Sequence, residues 1–409
     1  TASAFRWVSS NPSVATVSDS TTATVSVTAV ALGTTTLKVT ELESGVSREI
    51  PLTVTPVPDP PADNRTLVEL ANAYINSLSP QQRAATVLPE TAENAMRWSN
   101  LLAVPDAGTG TNALRNGVAY STLSSEQKAA WDLLITKALT NTVPTFFWAP
   151  TVKDQVFSTR KMERYLMRFD SAHNEDYMYI GFVGTPSEGG KWRMQIGGRL
   201  LAINHTYVGN TGVSQTPLCV GREPEVLSVP KSEIGLPGVP GETIVLGGLS
   251  TKNQLFEQIK NLLDASQRAQ ATLEGTFSDF LVGPGKEGSS HFPTGSTNRG
   301  LLGSTLRQDQ KERLTSILAV HIGFVTDKAL AARYQALYVS EIDATYIGYS
   351  GSPGRLSAPG DYFRIDGPHV WIEYIVQPGT VPGLPPPNNK VHRSLWRDKV
   401  TDYNGEFPL

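Results

Sequence analysis

The chain has 409 residues, 39% hydrophobic and 18% charged, with a formal net charge of −3. This length has room for two or three domains, and the near-balanced charge excludes a global field that would draw nucleic acid or anionic lipid. A single cysteine, Cys219, excludes an internal disulfide and every cysteine-based metal cluster, and the lack of a long apolar run predicts no membrane span.

The first 55 residues are rich in Thr, Ser and Val and carry almost no helix signal. Residues 24–30, 34–40 and 48–54 alternate as half-buried strands do. Asn11-Pro12 and Leu32-Gly33 are turn punctuation. A small β-sandwich over 1–55 is expected.

The stretch Trp7-Val8-Ser9-Ser10-Asn11-Pro12-Ser13-Val14-Ala15-Thr16-Val17 resembles the signature of bacterial Ig-like group 2 domains, and Thr28 to Thr40 is similar to a later stretch of that family. The resemblance implies a secreted or cell-surface protein. In that family the tryptophan motif lies in the third strand, whereas here it sits at residue 7. The resemblance therefore implies a partial sandwich with an apolar face and an open strand edge. Three explanations stay open: a processed piece of a longer protein, a strand supplied by a neighbouring copy, or a degenerate domain. In the second, Trp7, Val8 and Val17 are the expected binding residues.

Residues 56–63 hold four prolines and read as a stiff linker to a domain over 64–409. A helix-start phrase then recurs four times, at Ser79-Pro80-Gln81-Gln82, Ser124-Ser125-Glu126-Gln127, Asp264-Ala265-Ser266-Gln267 and Arg307-Gln308-Asp309-Gln310. A capping residue followed by a polar first turn is what a helix start needs. The irregular spacing argues against a solenoid, so we read the phrases as one helix-start solution reused within a single domain. Helices are expected over 65–78, 80–89, 125–139, 157–168, 251–273 and 305–338. Strands are expected over 177–183, 192–208 with a break at Gly197-Gly198, 213–220, 345–349, 362–365 and 370–376. Strands grouped between helix groups predict an α+β fold: a partial Ig-like sandwich joined by a proline-rich linker to a larger mixed helix and antiparallel-sheet domain.

Residues 64–409 resemble domain-of-unknown-function family 3500. The stretches that carry this are Trp192 to Gly198, Gly221-Arg222-Glu223-Pro224, Tyr362 to Pro368, and the closing His392-Arg393-Ser394-Leu395-Trp396-Arg397-Asp398. The resemblance implies an exported protein of unassigned activity. Where that family often carries two adjacent histidines after the double glycine, this chain has Arg199-Leu200.

None of the six histidines pairs at helical or strand spacing as a zinc ligand set does. A metal site would have to be assembled by the fold from His205 and His392 with Glu373 or Glu223. The leading catalytic cluster is His392, Glu373, Arg397 and Asp398, since an imidazole beside a carboxylate serves as a general base and an arginine holds an anion. Trp396 and Glu223 are added as binding residues. The structural alternative is an Arg397–Asp398 ion pair clamping the last strand under Trp396. The acidic pairs Glu175-Asp176 and Glu341 with Asp343 invite a glycosidase reading, but such pairs are common on solvated edges. Cys219 reads as a small core residue. No motif requires a cofactor. The expected function is an extracellular or cell-surface interaction protein whose partner is a further copy of itself, assembling into a fibre through the Ig-like domain. The alternative is a secreted hydrolase or metal-dependent enzyme using the closing motif.

Overall fold

The computed structural model describes residues 4–18, 21, 22, 24–29, 33–54, 63–140, 151–238, 241–286, 291–384 and 389–407, and the chain divides into two units, Thr1–Asn64 and Arg65–Leu409. Apart from Asp63, the expected linker lies outside the described residues.

In the first unit, β1 (Phe5–Ser9), β4 (Gly33–Glu41) and β5 (Ser47–Val54) form an antiparallel sheet in the order β1-β4-β5, and β2 (Ala15–Val17) pairs with β3 (Val27–Ala29) as a separate ribbon. Period-two alternation sorts the side chains. Trp7 lies opposite Val39, and Leu37 lies opposite both Ser9 and Ile50, so these share one face. Arg6, Val8, Lys38, Thr40 and Glu49 share the other. Leu37 is buried, while Ile50 stays 44% exposed on the same apolar face.

The second unit is built twice. Its first half runs α1 (Leu67–Ser77), α2 (Pro80–Thr86), β6 (Val87–Leu88), α3 (Ala92–Met96), β7 (Val118–Ala119), α4 (Ser125–Ala138), α5 (Val152–Leu166), β8 (Tyr179–Val183), β9 (Lys191–Gly198), β10 (Leu201–Val208), β11 (Thr211–Ser214) and β12 (Leu218–Arg222). A ribbon of β13 (Leu227–Pro230) and β14 (Thr243–Leu246) follows. The second half runs α6 (Ser250–Leu262), α7 (Ala265–Ala271), β15 (Leu301–Leu302), α8 (Gln308–Ile322), α9 (Lys328–Ser340), β16 (Tyr346–Ser350), β17 (Tyr362–Asp366), β18 (Val370–Pro378) and β19 (Lys390–Asp398). One sheet takes strands from both halves in the order β15-β16-β17-β18-β19-β12-β10-β9-β8-β6, with β7 also on β8 and β11 on β10. From the central β12–β19 pair the halves run outward in matching order.

The registers match as well. Val118 faces Ile180, Ile180 faces Ile196, and Ile196 faces Ile203. In the second half Leu301 faces Ile347, Ile347 faces Ile365, and Ile365 faces Ile372. Gly117 (φ +93°) and Gly300 (φ +102°) occupy equivalent places. A Cβ on either would meet a strand carbonyl, Ile180 O at 2.0 Å or Ile347 O at 2.2 Å, so only glycine fits.

The four helix-start phrases are therefore two pairs of equivalents rather than one motif reused at random. Gln127 Nε2 donates to Gln82 Oε1 at 2.8 Å, and Gln310 Nε2 donates to Gln267 Oε1 at 2.7 Å. Each half thus ties its two helix starts together with one glutamine pair.

Four expected elements are divided. The helix predicted over 80–89 ends at Thr86, and Val87 and Leu88 pair with β8 as β6. The helix predicted over 251–273 breaks after Leu262, because Asp264 accepts from Gln267 N and caps a new helix. The helix predicted over 305–338 breaks at Gly323, and Asp327 caps α9 through Leu330 N. The strand predicted over 213–220 splits into β11 and β12 around Pro217, which has no N–H for a ladder. On one sheet face Ile203, Leu218, Val220, Ile372, Tyr374 and Trp396 pack under the helices. On the other, Ala202, Cys219, Tyr362, Ile375 and Leu395 pack against Trp98, Phe280 and Tyr403.

Candidate functional site

The closing strand does not bring the expected catalytic cluster together. Glu373 lies opposite Leu395, and Trp371 lies opposite Arg397. Glu373 and Arg397 therefore share one face. His392, Trp396 and Asp398 alternate onto the other, where Tyr374 OH meets His392 Nδ1 at 3.0 Å. The same alternation rules out the Arg397–Asp398 clamp. Arg397 has Asp402 at 3.7 Å, while Asp398 accepts from Tyr338 OH at 2.8 Å. Trp396 is buried against the Tyr334 and Tyr338 rings.

Glu373 is a fully buried structural acceptor. It takes hydrogen bonds from Leu281 N (2.6 Å), Val282 N (3.1 Å), Tyr362 OH (2.8 Å) and Trp371 Nε1 (2.8 Å). Burial pushes its carboxyl up, against these four donors, which hold it down. Burial also lowers His392 to about 4 and His205 to about 3, so both rings are neutral at pH 7.

The metal ligands expected from the fold do not converge. His205 and His392 lie on one face, but His205 sits level with Asp398 in the strand registers, so six residues of strand, roughly 20 Å, separate it from His392. Among the described residues no group of three His, Cys, Asp or Glu side chains could hold a metal ion. The acidic pairs are engaged singly: Glu175 by Lys161 and Arg164, Asp176 by Arg160, Glu341 by His369 and Asp343 by Lys311. Cys219 is buried, and burial raises its thiol to about 12. In the first unit Trp7 is half-buried and donates to Thr22 O, Val17 is half-buried opposite Val27, and Val8 alternates to the other face, where it is 44% exposed.

Glu223 leads to a different site. It is fully buried and accepts from Thr380 N (2.6 Å), Thr380 Oγ1 (2.7 Å) and Val381 N (3.2 Å), and it pairs with Arg199 Nη2. Arg199 sits in the turn between β9 and β10. Its Nη1 reaches Glu163 Oε1 at 2.8 Å, and Glu163 Oε2 holds His173 Nδ1 at 2.8 Å. All four side chains are nine-tenths buried or more. Glu163 arrives there because it falls in the buried stripe Val152, Val156, Thr159, Glu163, Leu166 of α5, spaced as one helix face. His173 follows from the connection to β8, where its N–H donates to Asp170 O. This network forms one wall of a cavity of about 320 Å³ lined by Asn100, Leu101, Leu102, Asp170, His173, Arg199, Leu200, Gln377, Thr380, Val391 and Arg393.

Family models match both parts of the chain: Bacterial Ig-like domain (group 2) over residues 1–49, and Protein of unknown function (DUF3500) over residues 61–405. The chain belongs to the DUF3500 family. No curated protein and no solved structure matches it. Ig-like domains of this bacterial group are typical of surface and extracellular proteins, and no helix among the described residues is long and apolar enough to cross a membrane.

Within the DUF3500 domain, residue patterns pointed to Glu223 and, through the missing histidine pair, to the Arg199-Leu200 turn. They did not point to Glu163, His173 or Asp170, and they included Arg393 in the closing motif without a site role. The available signal was a glutamate in the apolar stripe of α5, which marks a buried carboxylate in need of a partner. His173 carries no local signal at all.

Proposed function

We propose that the protein is an exported surface or extracellular protein whose DUF3500 domain carries a hydrolytic acid–base site at the His173–Glu163 dyad. The observation that supports this is the 2.8 Å contact from Nδ1 to Glu163 in a ring that lines a cavity. When Nδ1–H is donated to a carboxylate, Nε2 carries the lone pair. The carboxylate stabilises the imidazolium formed when Nε2 takes a proton. Arg199 fixes Glu163 from the other side and so fixes the ring. The cavity lining offers no serine or cysteine, and the Thr380 hydroxyl is engaged by Glu223. His173 therefore acts on water directly, without a covalent intermediate. The role first expected of His392 and Glu373 passes to this dyad because those two side chains face away from each other.

The test is turnover of a panel of chromogenic esters and amides by the full chain and by His173→Gln. Loss of a general base predicts a fall of roughly 10²- to 10⁴-fold at unchanged melting temperature. Turnover that survives the substitution contradicts the reading.

A second reading, for the Ig-like unit, is β-strand addition by another copy of the chain, leading to a fibre. It is favoured by the position of β5 at the outer edge of a three-stranded sheet, with Ile50 still 44% exposed on the apolar face. Sedimentation velocity over a wide concentration range should show chain-length growth that Thr53→Pro abolishes. A lone species at every concentration contradicts it.

A further inference from the structure

We infer that the cavity takes an uncharged ligand bearing a hydrocarbon chain, so that the substrate class of the site is an ester or amide with an aliphatic part. This rests on the reading of the cavity as a ligand site, and the ligand class does not depend on which nitrogen of His173 carries a proton. Apolar atoms form most of the surface that the cavity presents. Four of its lining side chains are aliphatic. Leu200 and Val391 are buried, whereas Leu101 and Leu102 stand at the rim, 55% and 41% exposed.

The two rim leucines are held in the open by their backbone. Arg115, itself buried, donates to Leu101 O and, through Nη1, to Leu102 O at 3.4 Å. Just before them, Asn100 O accepts from Leu200 N at 2.8 Å and Asn100 Oδ1 accepts from Arg393 Nη2 at 2.9 Å. The segment is thus tied to the β9–β10 turn and to β19. Folding the leucines away would break bonds to a buried guanidinium. An apolar rim fixed in advance gains when a hydrocarbon chain covers it.

Charge gives no preference for an ion. Arg199 lies between Glu163 and Glu223, the buried Arg222 also acts on Glu163, and Arg393 and Lys286 both meet Asp279. With Asp170 in the lining, four carboxylates face four cations. Arg393 Nε makes no hydrogen bond but is closed off from the cavity surface. Balanced charges leave no field to offset the cost of stripping water from an ion, a cost that an uncharged ligand does not carry.

The test is isothermal titration of the full chain with butanol, hexanol and octanol, and with hexanoate and hexylammonium. Affinity should rise about fourfold per added methylene, and hexanol should bind at least about tenfold more tightly than either ion. Leu101→Ser with Leu102→Ser should weaken octanol about tenfold at unchanged melting temperature. Leu101→Ser alone, at the more exposed position, carries the same test with a smaller loss should the double variant fold poorly. An affinity that is flat along the alkanols, or octanol binding unchanged in these variants, overturns the inference. An ion that binds as tightly as hexanol overturns the preference for an uncharged ligand. If no alkanol binds, the inference falls, while His173-dependent turnover on the ester and amide panel still upholds the acid–base reading. If the alkanols bind as expected and turnover survives His173→Gln, the ligand class stands and the acid–base reading falls.

Discussion

The two halves of the DUF3500 domain share a frame and differ at one corner. In the first half the turn of the β9–β10 hairpin carries Arg199 and Leu200, and Arg199 is buried between Glu163 and Glu223 beside an open cavity. The equivalent turn between β17 and β18 carries Pro368 and His369, and His369 pairs with Glu341 at the end of α9, 27% and 16% exposed. Where the first half has Ala202 on the strand after the turn, the second has Trp371, flanked edge-on by Phe292 and covered by Lys399. Matching backbone registers thus support two different corners. Side-chain size and charge make the two corners differ.

Removing the cation from each corner gives the largest expected contrast. Arg199→Met strands two buried carboxylates and should cost about 3–5 kcal/mol in urea unfolding. His369→Ala breaks a half-exposed pair and should cost less than about 1 kcal/mol. Equal losses would break the comparison.

Each half also places a buried histidine of the central sheet under the helices, His205 in the first and His392 in the second, and the second half adds His321 on α8, which burial also holds well below the ordinary imidazole value. The folded values of His205 and His392, about 3 and about 4, lie below the ordinary imidazole value of 6.5. Below pH 6.5 the unfolded chain binds the proton first, so stability is full above that value and declines toward pH 4 and 3. The decline should be on the order of 3 kcal/mol for His392 by pH 4. In His392→Gln the loss between pH 7 and pH 4 should shrink, and an unchanged acid limb would contradict the burial argument.

Smaller effects should be equal in the two halves. Gln127→Leu and Gln310→Leu each remove one of the paired helix-start glutamines and should each cost about 1–3 kcal/mol. Ser79→Ala and Asp264→Ala remove equivalent caps and should each cost about 1 kcal/mol. A large difference within either pair would mean that the halves do not bear load alike.

Local rules carried most of the elements. The alternation at 34–40 and 48–54 gave β4 and β5, and the capping phrases gave α2 and α4. At Asp264 the helix-start phrase was read, yet the helix was drawn through it over 251–273; at Asp327 one capping side chain decides a break that no recurring phrase marks. The pairing of the four phrases into a duplicated unit depends on strand order and register, which no local pattern encodes. The site was only half legible. Glu223, the Arg199 turn and, inside the closing motif, Arg393 stood in motifs, whereas their meeting with His173 requires α5, the hairpin turn, the segment around Asn100 and the ends of β18 and β19 to come together. The expected cluster His392, Glu373, Arg397 and Asp398 is split between two faces for a strand-level reason: residues of opposite parity in paired strands cannot share a face.

The most direct test of the central claim is long-range ¹H–¹⁵N correlation on histidine-labelled full chain, which reads which ring nitrogen of His173 carries the proton. The account predicts Nδ1–H on Glu163 and an Nε2 without a proton. A proton on Nε2 with none on Nδ1 would contradict it.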